Sequence, residues 1–256
     1  MLSKNQIKLI SSLQKKKFRD QYQLFVAEGN KLVSDLIEAK TEIEYLIHTK
    51  EWHQQSTIST TLNANQIIET DSIQIKKISS LKTPSSVIGV FKMPSQKIDE
   101  SLVQESLSIV LDDVRDPGNL GTIIRVADWF GIKHIFCSPD TVDLYNSKVI
   151  QATMGAISSV KVCYTPLKNL ILNYKNTDFP IYGTFLEGDI IYKCELANKG
   201  FIIMGNEGKG VSPEIQELVT NKLYIPDFPC GEAASESLNV SVATSIICSE
   251  FRRKEF

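Results

Sequence analysis

The chain has 256 residues, enough to bury the core of one large or two modest domains. A hydrophobic content of 42% and a charged content of 23% are ordinary for a globular protein, and no apolar run approaches the ~18 residues of a membrane-crossing helix. The net charge of −2 argues against a generally basic nucleic-acid binder, and the scatter of five cysteines and three histidines, with no Cys-x-x-Cys spacing, leaves neither a disulfide framework nor a metal site to be read.

The first twenty residues, MLSKNQIKLISSLQKKKFRD, lack the apolar core and small-residue cleavage site of an export signal, so a cytoplasmic protein is expected. Ile7, Ile10 and Leu13 recur at helical spacing, with Leu9 beside them and lysines on the other side. Lys4, Lys8, Lys15, Lys16, Lys17 and Arg19 have no acid among them. Such a cluster either contacts phosphates or coats a helix with solvated charge. Gly29-Asn30 opens a helix over 31–39, and strands are predicted at 43–47, 67–69 and 87–91. Residues 1–92 therefore read as a small α/β domain. Residues 93–106 are polar, contain Pro94 and show no period, as expected of a linker.

Beyond the linker, strand and helix alternate. A strand at 107–111 leads through Asp116-Pro117-Gly118 into a helix over 120–130, which Gly131 stops. A strand at 134–137, a helix near 148–154 and strands at 159–163, 181–185, 201–205 and 222–225 follow. An apolar helix over 238–251 closes the pattern, tipped by Arg252, Arg253 and Lys254, cations that suit a helix C-terminus. This alternation implies a mostly parallel sheet covered on both faces over 107–256. Such sheets bind ligands at the carboxyl ends of their strands.

Three loops at such ends carry chemistry. The first holds Asp116 and Asn119, both able to cap the coming helix, with Gly118 and Gly121 and, six residues after Asn119, the cation Arg125. The second, Gly205-Asn206-Glu207-Gly208-Lys209-Gly210, is a tight turn that fits neither the Walker pattern nor Gly-x-Gly-x-x-Gly. Its Glu207 reads either as a cap partner or as a site carboxylate. The third runs from Ile225-Pro226 to Ser237-Leu238-Asn239-Val240-Ser241, where Ser241 fits an ordinary N-cap and Ser237 and Asn239 are better placed to face a ligand.

Taken together and in this order, Asn119…Arg125, Gly205-Asn206-Glu207-Gly208 and Ile225-Pro226…Ser237-Leu238-Asn239-Val240-Ser241 resemble motifs 1, 2 and 3 of the SpoU (TrmH) family of the SPOUT superfamily. The helix led by Ser147 and Lys148 and the following Met154-Gly155-Ala156 resemble the family's middle segment. Phe25-x-x-Glu28-Gly29 and the strand at 87–91 are similar to the ribosomal-protein-like RNA-binding domain attached to many members. One departure stands between Pro226 and Ser237, where Gly231 and Glu236 bound a stretch a few residues longer than the family's Pro-x-x-Gly-x-x-Glu-Ser.

The resemblance implies an S-adenosylmethionine-dependent RNA methyltransferase acting on a ribose 2′-hydroxyl. It implies a trefoil-knotted SPOUT domain at 107–256 and a homodimer. It places Gly205, Ile225 and Leu238 around the cofactor with Met204, Asn206, Gly208 and Pro226 nearby. Arg125 would bind the adjacent phosphate and stabilise the developing alkoxide, Asn119 would orient Arg125 or the ribose, and Glu207, Ser237 and Asn239 would complete the pocket. Lys15, Lys16, Lys17 and Arg19 are the expected RNA contacts. The two-domain layout favours ribosomal over transfer RNA. The alternatives are a transfer RNA methyltransferase and a catalytically silent RNA-binding protein on the same fold. A dehydrogenase-like nucleotide enzyme is disfavoured by the missing glycine fingerprint.

Overall fold

The computed structural model describes residues 2–55, 62–95, 98, 100–175, 177–229 and 236–253. Packing divides the chain into two units, one of Met1–Ser95 with Asp143–Ser159 and one of Gln96–Val142 with Val160–Phe256.

The first unit opens with α1 (Lys4–Ser12) and α2 (Lys16–Tyr22). Ser3 and Gln6 form a capping box at the start of α1, and the apolar stripe read from the sequence buries Ile10 and Leu13. Then follow β1 (Leu24–Glu28), α3 (Asn30–Glu38), β2 (Ile43–Thr49), α4 (Lys50–Gln55), β3 (Ile67–Thr70), α5 (Ser72–Ile78) and β4 (Val87–Lys92). The sheet order is β1-β4-β2-β3, with β4 antiparallel to both neighbours and β2 parallel to β3. Glu28, at the end of β1, is 3% exposed and accepts hydrogen bonds from the Ser79 and Ser80 hydroxyls and the Ser80 N–H. That buried carboxylate ties the β1–α3 turn to the loop before β4, which accounts for a glutamate at position 28, and the φ of +107° at Gly29 accounts for the glycine after it.

The segment expected as a linker contains α6 (Glu100–Glu105), whose Val103 is buried in the second unit's core. It is followed by β5 (Leu107–Leu111), α7 (Pro117–Trp129) and β6 (His134–Cys137). Next comes α8 (Ser147–Thr153), which belongs to the first unit and buries Ile150 among Phe25, Val33 and Leu36. The second unit resumes with β7 (Lys161–Tyr164), α9 (Leu167–Leu172), β8 (Ile181–Phe185), β9 (Asp189–Ile190), β10 (Gly200–Met204), α10 (Pro213–Gln216), β11 (Asn221–Tyr224) and α11 (Val240–Arg252).

Its sheet has the order β7-β6-β5-β10-β8-β11-β9, and every neighbouring pair is parallel. Every residue of β5, β6 and β10 is buried, as a parallel sheet covered on both faces demands. On one face Phe201 meets Phe136, Tyr174 and Phe179 edge-on at 4.9–5.8 Å between ring centroids. Leu120, Ile123, Ile124 and Ala127 of α7 and Thr244, Ile247, Cys248 and Phe251 of α11 are buried as the two helices pack together. Since all strands run one way, the loops after β5, β10 and β11 leave from the same edge. No helix among the described residues is long and apolar enough to cross a membrane.

Candidate active site

The loop after β5 is fixed by its own backbone. Asp113 adopts φ +61°, a left-handed conformation that is uncommon outside glycine. Its N–H donates to Ser138 Oγ at 2.9 Å and its carbonyl accepts from Asn206 Nδ2 at 2.7 Å. Asp116 is the N-cap of α7, accepting from the Asn119 N–H at 2.9 Å, with Pro117 at the first helical position.

The loop after β10 turns back on itself. Asn206 and Gly210 exchange two backbone hydrogen bonds at 2.9 Å, and Asn206 Oδ1 accepts from the Gly208 and Lys209 N–H groups at 3.0 Å. Gly205 is required here, because a Cβ would lie 2.2 Å from the backbone of Gly210 and Val211. Glu207 reaches across to the first loop. Its Oε1 accepts from Asn119 Nδ2 at 3.0 Å and the Asp116 N–H at 3.1 Å, and its Oε2 from the Arg115 N–H at 3.3 Å.

The third loop completes the chain of contacts. Asn239 Nδ2 donates to Asn119 Oδ1 at 3.0 Å, while Asn239 Oδ1 accepts from the Ser241 N–H at 2.9 Å and the Ser241 hydroxyl at 2.7 Å. The cap of α11 is therefore Asn239, which corrects the reading of Ser241 as the cap: Ser241 is the first-turn donor that the cap receives. One polar chain, Glu207–Asn119–Asn239–Ser241, joins all three sequence motifs. Asn119 is 9% exposed and has both ends of its amide engaged.

Burial pushes the Glu207 carboxyl upward, but the Asn119 amide and the loop N–H groups outweigh it and hold the group below the ordinary carboxylate value. Glu207 is thus an ionised organiser of the loops and a weak base.

Arg125 projects from α7 as an exposed side chain, and among the described residues it has no hydrogen bond or ion pair. Ser237 is exposed, Leu238 is 49% exposed, and Ile225 and Pro226 are half-buried. Met204 and Gly205 are buried, Asn206 is half-buried and Gly208 is exposed. Among the described residues the main-chain N–H and C=O groups of Gly205, Ile225 and Leu238 have no hydrogen-bond partner. Gly231, one bound of the longer stretch, lies outside the described residues, as does Lys254.

In the first unit, Lys15, Lys16 and Lys17 are exposed, with Lys16 paired to Asp20 and Lys17 Nζ 4.7 Å from the Phe18 ring centroid. Arg19 is different: it is 4% exposed, donates to the Leu13 carbonyl at 2.8 Å and pairs with Asp143 at 2.5 Å. Its guanidinium is in use inside the unit, which removes it from the expected phosphate contacts. The described cysteines are unpaired; burial pushes the Cys137 thiol up and that of Cys248 to about 12, so neither is a ready nucleophile. No cluster of metal-binding side chains occurs among the described residues.

Sequence reasoning passed over Asp113, Arg115 and the linking role of Ser241. The run Asp112-Asp113-Val114-Arg115-Asp116 directly after a strand was the available signal.

Residues 106–249 match the model of the SpoU rRNA Methylase family, and residues 4–89 match that of the MRM3-like substrate binding domain. The chain is 29% identical over 252 residues to the Bacillus subtilis 23S rRNA (guanosine(2553)-2′-O)-methyltransferase RlmP, covering 98% of this chain and 97% of that one. A solved structure from Porphyromonas gingivalis, assigned to the TrmH family of RNA methyltransferases, superposes with a TM-score of 0.89 at 36% identity, covering 99% of each chain. The AdoMet-bound rRNA methyltransferase of Sinorhizobium meliloti superposes with a TM-score of 0.86 at 29% identity, covering 100% of this chain and 97% of that one.

Proposed function

Because the chain belongs to the SpoU rRNA methylase family, we infer that it transfers a methyl group from S-adenosylmethionine to a ribose 2′-hydroxyl of ribosomal RNA in the cytoplasm. The observation that carries this reading to named residues is the polar chain Glu207–Asn119–Asn239, which draws the three motif loops to one edge of the parallel sheet.

The residues fit the cofactor. Gly205 is buried with unpartnered main-chain groups, and such groups seek a ligand able to both donate and accept. Ile225 and Leu238 add further open main-chain groups, with the apolar Pro226 and Met204 beside them in sequence. Asn206 and Gly208 hold the turn in shape. The cofactor supplies an electrophilic methyl group on a sulfonium.

This chain's residues supply the rest. A ribose hydroxyl is a poor nucleophile until its proton is lost or strongly polarised. Arg125 binds the phosphate next to the target nucleotide and stabilises the oxygen as negative charge develops on it. Arginine stays protonated, so it acts electrostatically and not as the base. Asn119, fixed from both ends, orients the ribose, and the exposed Ser237 and Asn239 complete the pocket wall. Much of the acceleration comes from holding the hydroxyl in line with the methyl group.

The first unit takes the role of RNA-binding domain, with Lys15, Lys16 and Lys17 on phosphates, and the second unit that of the transfer domain. The active form is a homodimer. Trp129 of α7, 84% exposed, and the exposed Val242 of α11 leave uncovered apolar area that a second copy would bury.

The test is transfer from methyl-labelled S-adenosylmethionine to unmodified ribosomal RNA, followed by digestion to nucleosides. Label in 2′-O-methylated nucleosides is expected. Label only in methylated bases, or in transfer RNA and not ribosomal RNA, would overturn the reading.

A further inference from the structure

The acids and the cations of the first two loops differ in what they have left to offer. Asp116 is spent on capping α7, Glu207 on Asn119 and two N–H groups, and Asp112 accepts from the Ser212 N–H at 2.7 Å. Asp113 Oδ1 accepts from Arg115 Nε at 2.8 Å. The cations are not spent in this way. The Arg115 side chain is 64% exposed, and only its Nε is engaged among the described residues, so both Nη groups are free. Lys209, at the tip of the second loop, is exposed and its ammonium has no partner among the described residues.

Both cations are held on rigid backbone. The Arg115 N–H donates to Glu207, its Nε is aimed by Asp113 in a left-handed backbone conformation, and the Lys209 N–H donates to Asn206 Oδ1. Asn206 in turn holds the Asp113 carbonyl. The two loops thus form one stitched double loop that carries an arginine fork and an ammonium and that Glu207 joins to Asn119. An exposed Arg–Asp pair of this kind contributes little to stability, so stability alone gives little reason for the arrangement.

On the reading of the chain as an RNA methyltransferase, we propose that Arg115 and Lys209 form a phosphate clamp that grips the RNA strand on either side of the target nucleotide. The fork of Arg115 bonds one phosphate through its Nη groups, and Lys209 meets a neighbouring one as a point charge. Neither takes part in the chemistry; they set where the strand lies as its ribose meets Asn119 and Arg125.

The experiment measures binding of an unmethylated 23S ribosomal RNA transcript across a salt series, together with KM and kcat, for wild type, Arg115→Gln, Arg115→Lys, Lys209→Ala and the Arg115→Gln/Lys209→Ala double variant. Each neutralising substitution should reduce the slope of log K against log salt by roughly 1 and weaken RNA binding about 5-fold at 0.1 M salt. KM for RNA should rise in step, with kcat at saturating RNA and affinity for S-adenosylmethionine unchanged. Arg115→Lys should restore the slope. With a wild type that methylates the transcript, unchanged slopes in the variants would overturn the clamp alone, as would loss of melting temperature and cofactor affinity in parallel with RNA binding, which marks a structural role. A wild type that transfers no methyl group to RNA would overturn the functional reading and the clamp with it.

Discussion

Glu207 shows how one side chain can look catalytic and serve as scaffold. A carboxylate among glycines invites assignment as a base, yet its three donors hold its folded pKa below the ordinary value of 4.5. A depressed carboxylate stabilises the fold above its unfolded pKa, and that stability is lost as pH falls through the folded value. The melting-temperature gap between wild type and Glu207→Gln should therefore stay flat from pH 5 to pH 8 and close only below 4.5. A gap that changes near neutral pH would contradict the ionised organiser. Arg19 makes the complementary point in the first unit. Removing one member of a largely buried pair leaves the other unmatched, so Arg19→Ala should cost about 3 kcal/mol in thermal unfolding. The same substitution at Lys15 should cost within about 0.5 kcal/mol.

At the scale of elements, the turn between β10 and α10 depends on Gly205. Gly205→Ala forces a methyl group into the backbone of Gly210 and Val211, and the 206–210 turn must move with it. A loss of about 1–3 kcal/mol is expected, with weakened S-adenosylmethionine binding by calorimetry; an unperturbed cofactor affinity would argue that the turn does not frame the cofactor. Most elements of the second unit were legible because their strands are short and carry apolar runs, such as 109–111 and 201–204, between polar or glycine-containing loops. β5, β6 and β8 lie where the sequence placed them, and β10, β11 and α11 are shifted by one or two residues. β1 was passed over because its five residues, Leu24–Glu28, show no clean alternation: its burial pattern has four buried positions of five. α6, α9 and α10 have four to six residues, too few for a helical period to register.

At the scale of the molecule, the site is a long-range object. Asn119, Glu207 and Asn239 are 88 and 120 residues from their partners in the polar chain, so spacing along the sequence carries no trace of their contact. What the sequence did carry was the order of three loops after three strands, and the resemblance built on that order. The placement of α8 in the first unit was equally invisible, since Ile150 joins a core built from residues more than fifty positions earlier. For the proposed dimer, Trp129→Asp should shift sedimentation from two copies to one if α7 lies in the interface; an unchanged dimer would place the interface elsewhere.

The most direct test of the account is single-turnover methyl transfer to unmodified ribosomal RNA by wild type and Arg125→Ala, with S-adenosylmethionine affinity measured in parallel. Wild type should give 2′-O-methyl product, and the variant a rate at least roughly 100-fold lower (about 3 kcal/mol of transition-state stabilisation) with unchanged cofactor affinity. An undiminished rate in Arg125→Ala would contradict it.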